Sequence, residues 1–244
     1  MSRRTAAPAL SAPQALSAPA HARWPLGPSH PRLGAGVVHV WRAELPAVSD
    51  HALLSLSPEE RAQADRFARP AAGRLWASTR GVLRDLLARY TDVTPATIAF
   101  CADRRGKPAL AMAARVPWVS FNVSHSGELA LYAFSQQADV GVDVQVSRLR
   151  RVDVTTIAAR AFGEHEARRI AHLPAARREH EFLRAWTRYE AALKCHGASG
   201  GDDPRTPQPW VAQLDMGPTA AGAVALGSAP AELCCWAWNN ARGG

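Results

Sequence analysis

The chain has 244 residues, 47% of them hydrophobic, enough for one large domain or two of about 100–120 residues each. Lys and Arg number 29 against 21 Asp and Glu, a net charge of +8 and a pI of about 10.1, which suits a negatively charged partner: nucleic acid, a phosphorylated small molecule or an acidic protein. No apolar run approaches the roughly 18 residues of a membrane span, and Cys101, Cys195, Cys234 and Cys235 have neither CxxC spacing nor a disulfide framework, so free thiols in a reducing cytoplasm are expected.

Residues 1–35 are rich in Ala, Pro and Ser and read as a disordered tail. Pro8, Pro13 and Pro19 interrupt the apolar segment that a signal peptide after Arg3 and Arg4 would need. Val37 to Leu45 alternates enough to read as a strand. Ser57-Pro58-Glu59-Glu60 is a helix start, with Ser57 as N-cap and Glu60 closing a capping box. That helix runs to about Ala68, and Pro70 interrupts it. A second helix, Ala71 to Tyr90, has an apolar face of Leu75, Val82, Leu83, Leu86 and Tyr90, with Arg74, Arg80 and Arg84 off it. Strands follow at Ile98–Ala102, Trp118–Val123 and Leu129–Phe134, then a polar break at Gln136–Asp139 and a strand at Val140–Val146. Helices are expected at Val152–Phe162, Glu164–Leu173 and Ala175–Cys195, a loop at 198–209, and short strands near Trp210–Leu214, Ala221–Leu226 and Leu233–Trp238. Strands in runs and helices in runs argue for an α+β fold, with an N-terminal half at 36–137 and a C-terminal half at 138–244.

Four segments can carry chemistry. In Phe182 to Gly197, the residues Phe182, Trp186, Tyr189 and Leu193 make one apolar stripe. Glu190 and Lys194 lie one turn apart on its flank, either as a surface ion pair or as the wall of a cleft. On the strand Val140-Gly141-Val142-Asp143-Val144-Gln145, Asp143 and Gln145 share a face and Gly141 leaves room for a close approach; the face is either solvated or able to hold a hard cation through oxygen. Phe121-Asn122-Val123-Ser124-His125-Ser126-Gly127 ends another strand, with Asn122 and Ser124 on one face and His125 and Ser126 at the turn. It is either a polar turn or a phosphate contact. Ser124 and His125 are adjacent on a strand and point opposite ways, a poor geometry for a nucleophile and its base. Arg104-Arg105-Gly106-Lys107-Pro108 is either a solvated basic loop or, with Arg74, Arg80 and Arg84, one wall of an anion site.

The order of these motifs is more specific than any one of them. A basic Gly-Lys-Pro turn, Phe-Asn-x-Ser-His-Ser, Gly-Val-Asp and Trp-Thr-x-x-Glu-Ala-x-x-Lys-x-x-Gly, in that order over roughly residues 55–200, resembles the larger, single-chain type of 4′-phosphopantetheinyl transferase. The resemblance implies a pseudo-dimer of two similar α+β halves, each a small, mostly antiparallel sheet packed on a long helix, with coenzyme A between them. It implies a Mg²⁺ site of Asp143, Glu190 and Gln145; Gln145 stands where the family commonly has Glu, and its amide oxygen coordinates or holds a water in place of that charge. It implies Glu190 and Lys194 as catalytic groups, and Arg74, Lys107, Asn122, Ser124 and His125 as contacts to coenzyme A. Tyr189 stands where the family commonly has Lys and by periodicity joins the apolar stripe. The implied reaction moves phosphopantetheine from coenzyme A to a serine of an acyl or peptidyl carrier protein of polyketide or nonribosomal peptide biosynthesis. The implied protein is a cytoplasmic monomer. Because of Gln145 and Tyr189, a non-catalytic binder of coenzyme A or carrier protein is the alternative. No helix-turn-helix, zinc or RNA-recognition signature accompanies the charge, so nucleic acid is not expected as a partner.

Overall fold

The computed structural model describes residues 24–45, 53–102, 108–111, 119–136, 139–147, 154–196 and 207–239. The chain opens with β1 (Val37–Glu44) and then α1 (Pro58–Asp65), whose start is the expected capping box: the Ser57 hydroxyl accepts the Glu60 N–H, and the Glu60 carboxylate accepts the Ser57 N–H. Pro70 begins α2 (Pro70–Thr91), in the first turn, where a missing N–H costs nothing. Two three-residue strands follow, β2 (Phe100–Ala102) and β3 (Pro108–Leu110), paired antiparallel. β3, short and opened by Pro108, gives no strand signal in the sequence.

The next two strands, β4 (Val119–Ser126) and β5 (Leu129–Gln136), form a hairpin whose turn is Gly127 and Glu128. Gly127 has φ 57°, the positive value that a two-residue II′ turn requires at its first position. The turn therefore lies two residues later than the sequence reading put it, and His125 and Ser126 are strand residues. The chain continues through β6 (Val140–Val146), α3 (Val154–Phe162), α4 (Glu164–Ala171), α5 (Ala175–His196), β7 (Trp210–Leu214), β8 (Ala220–Leu226) and β9 (Glu232–Ala237).

Among the described residues the strands make a four-stranded sheet, β4-β5-β1-β9, the β2-β3 pair and a three-stranded sheet, β6-β8-β7. Period-two alternation then sorts the side chains into layers. Val38 and Val40 of β1 and Leu129, Leu131 and Ala133 of β5 meet Val140, Val142 and Val144 of β6 and Val224 and Leu226 of β8 in one core between the two sheets. The other face of the first sheet, with Trp41, Tyr132 and Phe134, takes Val82, Leu83, Leu86 and Leu87 of α2. Those four are each at most 3% exposed, and their burial contributes roughly 6–12 kcal/mol against chain entropy. The outer face of the second sheet carries α5. The order of layers is helix, sheet, sheet, helix, a mixed α+β architecture.

Two segments join the first sheet from beyond the expected N-terminal half. β9 does not stay with the C-terminal half: it pairs parallel with β1, so the end of the chain completes the first sheet. Order also begins before residue 36. Gly27 donates to the Ala237 carbonyl and Ala237 donates to the Pro25 carbonyl, so the segment pairs with the last residue of β9. The Trp24 indole donates to the carbonyl of Asp215 at 2.8 Å and packs against the core between the sheets.

α5 differs from its sequence reading in which face is seated deepest. The stripe of Phe182, Trp186 and Tyr189 packs on Phe162 of α3. The face against the second sheet is instead built from small residues, Ala191, Ala192 and Cys195, meeting Val211, Ala223 and Ala225. Gly141 of β6 lets the helix backbone come this close: a Cβ there would overlap the Ala191 carbonyl oxygen.

Candidate active site

The site forms where β4, β6 and α5 meet. β4 is one edge of the first sheet and β6 one edge of the second. Side chains join them. Asn122 accepts the Val142 N–H at 2.9 Å, Ser124 the Val144 N–H at 3.4 Å, and Ser126 the Val146 N–H at 3.1 Å. Every second residue of β4 thus satisfies every second N–H of β6, and the exposed edge of β6 finds its partners without a backbone ladder.

Because Val142 and Val144 face the core, Asp143 and Gln145 face α5. Asp143 is only 3% exposed in its side chain, and a lone carboxylate there would be costly. Its Oδ1 accepts from the Ser124 hydroxyl at 2.7 Å and from the Lys194 ammonium at 2.6 Å; its Oδ2 accepts from the Gln145 amide at 3.3 Å. Lys194 also donates to Ser124 Oγ at 3.1 Å. The ion partner of Lys194 is therefore Asp143, on another element, and not Glu190 one turn away.

Glu190 is half-buried. Burial pushes its carboxyl above its ordinary value, the negative charge of Asp143 adds to that, and Lys194 pulls it back. His125 is exposed, on the face of β4 opposite Ser124 and Ser126. Partial desolvation against the surface lowers its imidazole below the usual value, and the positive charge of Lys194 lowers it further. The ring is thus within electrostatic reach of Lys194 and neutral at pH 7.

The remaining expected residues divide. Arg74 is exposed on α2, with no hydrogen bond to the Asp143 cluster among the described residues. Lys107 lies outside the described residues. Arg84, placed by the sequence reading with a basic wall, is 3% exposed: its Nη1 donates to the carbonyls of Pro95 and Ile98 and its Nε to Glu60. Arg80 pairs with the same Glu60 at 3.3 Å and lies over Phe100. Both tie α2 to α1 through Glu60, and Arg84 also ties it to the segment after α2, so these two arginines are engaged within the fold rather than in an anion wall. Ser126 is the residue whose part the sequence reading missed. The signal was there, in polar side chains at 122, 124 and 126 opposite an alternating strand.

Among the described residues no group of three or more His, Cys, Asp and Glu could hold a metal by itself. Two carboxylates, Asp143 and Glu190, are near enough for one to raise the proton affinity of the other. That donor set fits a hard divalent cation of the Mg²⁺ kind, which takes one or two carboxylates and completes its shell with water and phosphate oxygens. The Gln145 amide nitrogen faces Asp143 and its oxygen faces Ser126. Two carboxylates beside a part-exposed ammonium can receive such a cation together with phosphate oxygens.

Comparison with known proteins gives the family. Residues 40–137 match the family model for the N-terminal region of 4′-phosphopantetheinyl transferases, and residues 139–236 match the model for the 4′-phosphopantetheinyl transferase superfamily. The chain is 34% identical over 163 residues to the 4′-phosphopantetheinyl transferase HetI of a Nostoc species, covering 66% of this chain and 68% of that one. It is 30% identical over 142 residues to the transferase psf-1 of Bacillus pumilus, 58% of each chain, and 32% identical over 162 residues to the transferase AcpT of Escherichia coli, 66% of this chain and 75% of that one. This chain belongs to the 4′-phosphopantetheinyl transferase superfamily.

Proposed function

We propose that the chain transfers 4′-phosphopantetheine from coenzyme A to a serine hydroxyl of an acyl or peptidyl carrier protein, releasing adenosine 3′,5′-bisphosphate. The observation that carries the reading is the meeting of Asp143, Glu190 and Lys194 at the contact of β6 and α5, in a chain of this family. Asp143 and Glu190 would hold Mg²⁺. Bound there, it would neutralise and orient the diphosphate of coenzyme A.

The rest falls to side chains. A new bond forms between the serine oxygen and the phosphorus attached to pantetheine, while the bridging P–O bond to the adenosine side breaks. The serine proton has to leave as that bond forms. Glu190 is the carboxylate in reach, and it or a water beside it accepts that proton. Lys194 carries the positive charge that faces the departing phosphate. Ser124 and Lys194 keep Asp143 in one orientation. His125, exposed beside this cluster, and Arg74 and Lys107 are proposed contacts to the phosphates of coenzyme A. The net charge of +8 favours encounter with an acidic carrier protein.

The test is a mass measurement. Purified protein, Mg²⁺ and coenzyme A are mixed with apo carrier proteins, and the carrier should gain one phosphopantetheine group. Asp143→Asn and Glu190→Gln should each lose most of that activity. No gain on any of several carriers, with coenzyme A still bound, would instead support the non-catalytic reading. Near-normal rates in either variant would remove the assignment of the acidic pair.

A further inference from the structure

We propose that Ser126 and Gln145 are positioning residues for Asp143, acting as a short hydrogen-bonded relay from β4 into the acidic pair. The inference rests on the reading of Asp143 as a cation ligand. It starts from what each group can give. Ser126 is 4% exposed, and its oxygen accepts the Val146 N–H at 3.1 Å. Its hydroxyl proton is then left to donate, and Gln145 Oε1 lies 3.4 Å away. The other end of the Gln145 amide donates from Nε2 to Asp143 Oδ2 at 3.3 Å. The amide orientation follows from its two neighbours. A carboxylate only accepts, so the nitrogen must face Asp143; the hydroxyl has a proton to donate, so the oxygen must face Ser126.

The relay completes the hold on Asp143. Ser124 and Lys194 occupy Oδ1, and without Gln145 nothing described holds Oδ2. Backbone satisfaction alone does not account for Ser126. Asn122 and Ser124 meet the N–H groups of Val142 and Val144 in the same way, yet of the three only Ser126 also reaches Gln145. Gln145 therefore acts through Asp143 rather than as a ligand of its own, and Ser126 acts through Gln145. Groups that orient a metal ligand typically change affinity by about 10–100-fold when removed.

The experiment is a Mn²⁺ titration of the full chain, read as free Mn²⁺ by electron paramagnetic resonance. Wild type is compared with Ser126→Ala, Ser126→Thr, Gln145→Ala, Ser126→Ala with Gln145→Ala, and Asp143→Asn. Ser126→Ala and Gln145→Ala should each weaken Mn²⁺ binding about tenfold, and the double variant should be no weaker than Gln145→Ala alone. Ser126→Thr, which keeps the hydroxyl, should bind like wild type. The relay is overturned if Ser126→Ala binds normally, or if the two losses multiply to about a hundredfold, since Ser126 would then act through Val146 alone. It is also overturned if Gln145→Ala binds as poorly as Asp143→Asn, since Gln145 would then be a ligand. A wild type that binds no Mn²⁺, or an Asp143→Asn that binds it equally well, removes the cation reading itself and the relay with it.

Discussion

Gly141→Ala is the sharpest test of how the fold makes the site. A methyl group on Gly141 would overlap the carbonyl oxygen of Ala191 and stand 2.5 Å from the Cys195 nitrogen and 3.0 Å from the Lys194 carbonyl carbon, where ordinary contact begins near 3.4 Å. All three are backbone atoms of α5, so no rotamer relieves the clash. The helix has to retreat by about 1 Å, which strips contacts from Ala191, Ala192 and Cys195 along the second sheet. Overpacking of this kind should cost about 3 kcal/mol. The same retreat draws Lys194 off the Asp143 carboxylate, now 2.6 Å away, and moves Glu190 with it. A displacement of that size should lower the transfer rate about 100-fold. Urea unfolding gives the first quantity, and single-turnover transfer followed by mass gives the second. Gly127→Ala is the reference: no atom lies within 4 Å of its would-be Cβ, so only its left-handed φ of 57° is strained, costing about 1–2 kcal/mol with the rate unchanged. A Gly141→Ala protein within about 0.5 kcal/mol of wild type and transferring normally would refute the argument that close helix approach builds the site.

Other variants separate structural groups from chemical ones. Lys194→Met leaves Asp143 buried with only Ser124 and Gln145 as donors, and urea unfolding should show a loss of roughly 2 kcal/mol; this is less than for a fully buried pair because the Lys194 side chain is 30% exposed. Unchanged stability would mean the ion pair contributes nothing. Arg84→Met strands the carbonyls of Pro95 and Ile98 and should cost about 3 kcal/mol in the same assay while leaving coenzyme A affinity unchanged; a lost affinity in a folded variant would restore Arg84 to the anion site. His39 supplies a pH dependence. Its imidazole is buried against Tyr90, with desolvation lowering its pKa from 6.5 to about 4 despite the opposing charge of Glu232. Well above pH 6.5 neither folded nor unfolded chain is protonated there. As pH falls toward 4, the unfolded chain takes the proton first, so stability should fall by up to roughly 3 kcal/mol. His39→Gln should flatten that part of the urea midpoint profile, and an unaltered profile would show that other groups cause it.

Local pattern was enough for most of the elements. The Ser57–Glu60 capping box, the apolar face of α2 and the alternation of β6 are each written within a few residues, because helix and strand periods are local properties of the backbone. The same alternation turned Asp143 and Gln145 to one face, and the motif order pointed to the family before any contact was known. Tyr189 packs against Phe162 and Trp186, as its place in the stripe implied.

What the sequence by itself determined is which faces exist: a core face and a polar face on β6, a polar edge along β4, and an aromatic stripe on α5. What only the tertiary structure decided is which face meets which. Lys194 is four residues from Glu190 yet pairs with Asp143, 51 residues away. Asn122, Ser124 and Ser126 satisfy N–H groups of β6, and β9 returns to β1 across the whole chain. Periodicity fixes the direction in which a side chain leaves its own element. The partner depends on how closely two elements can approach, and at this site that distance is set by the missing Cβ of Gly141.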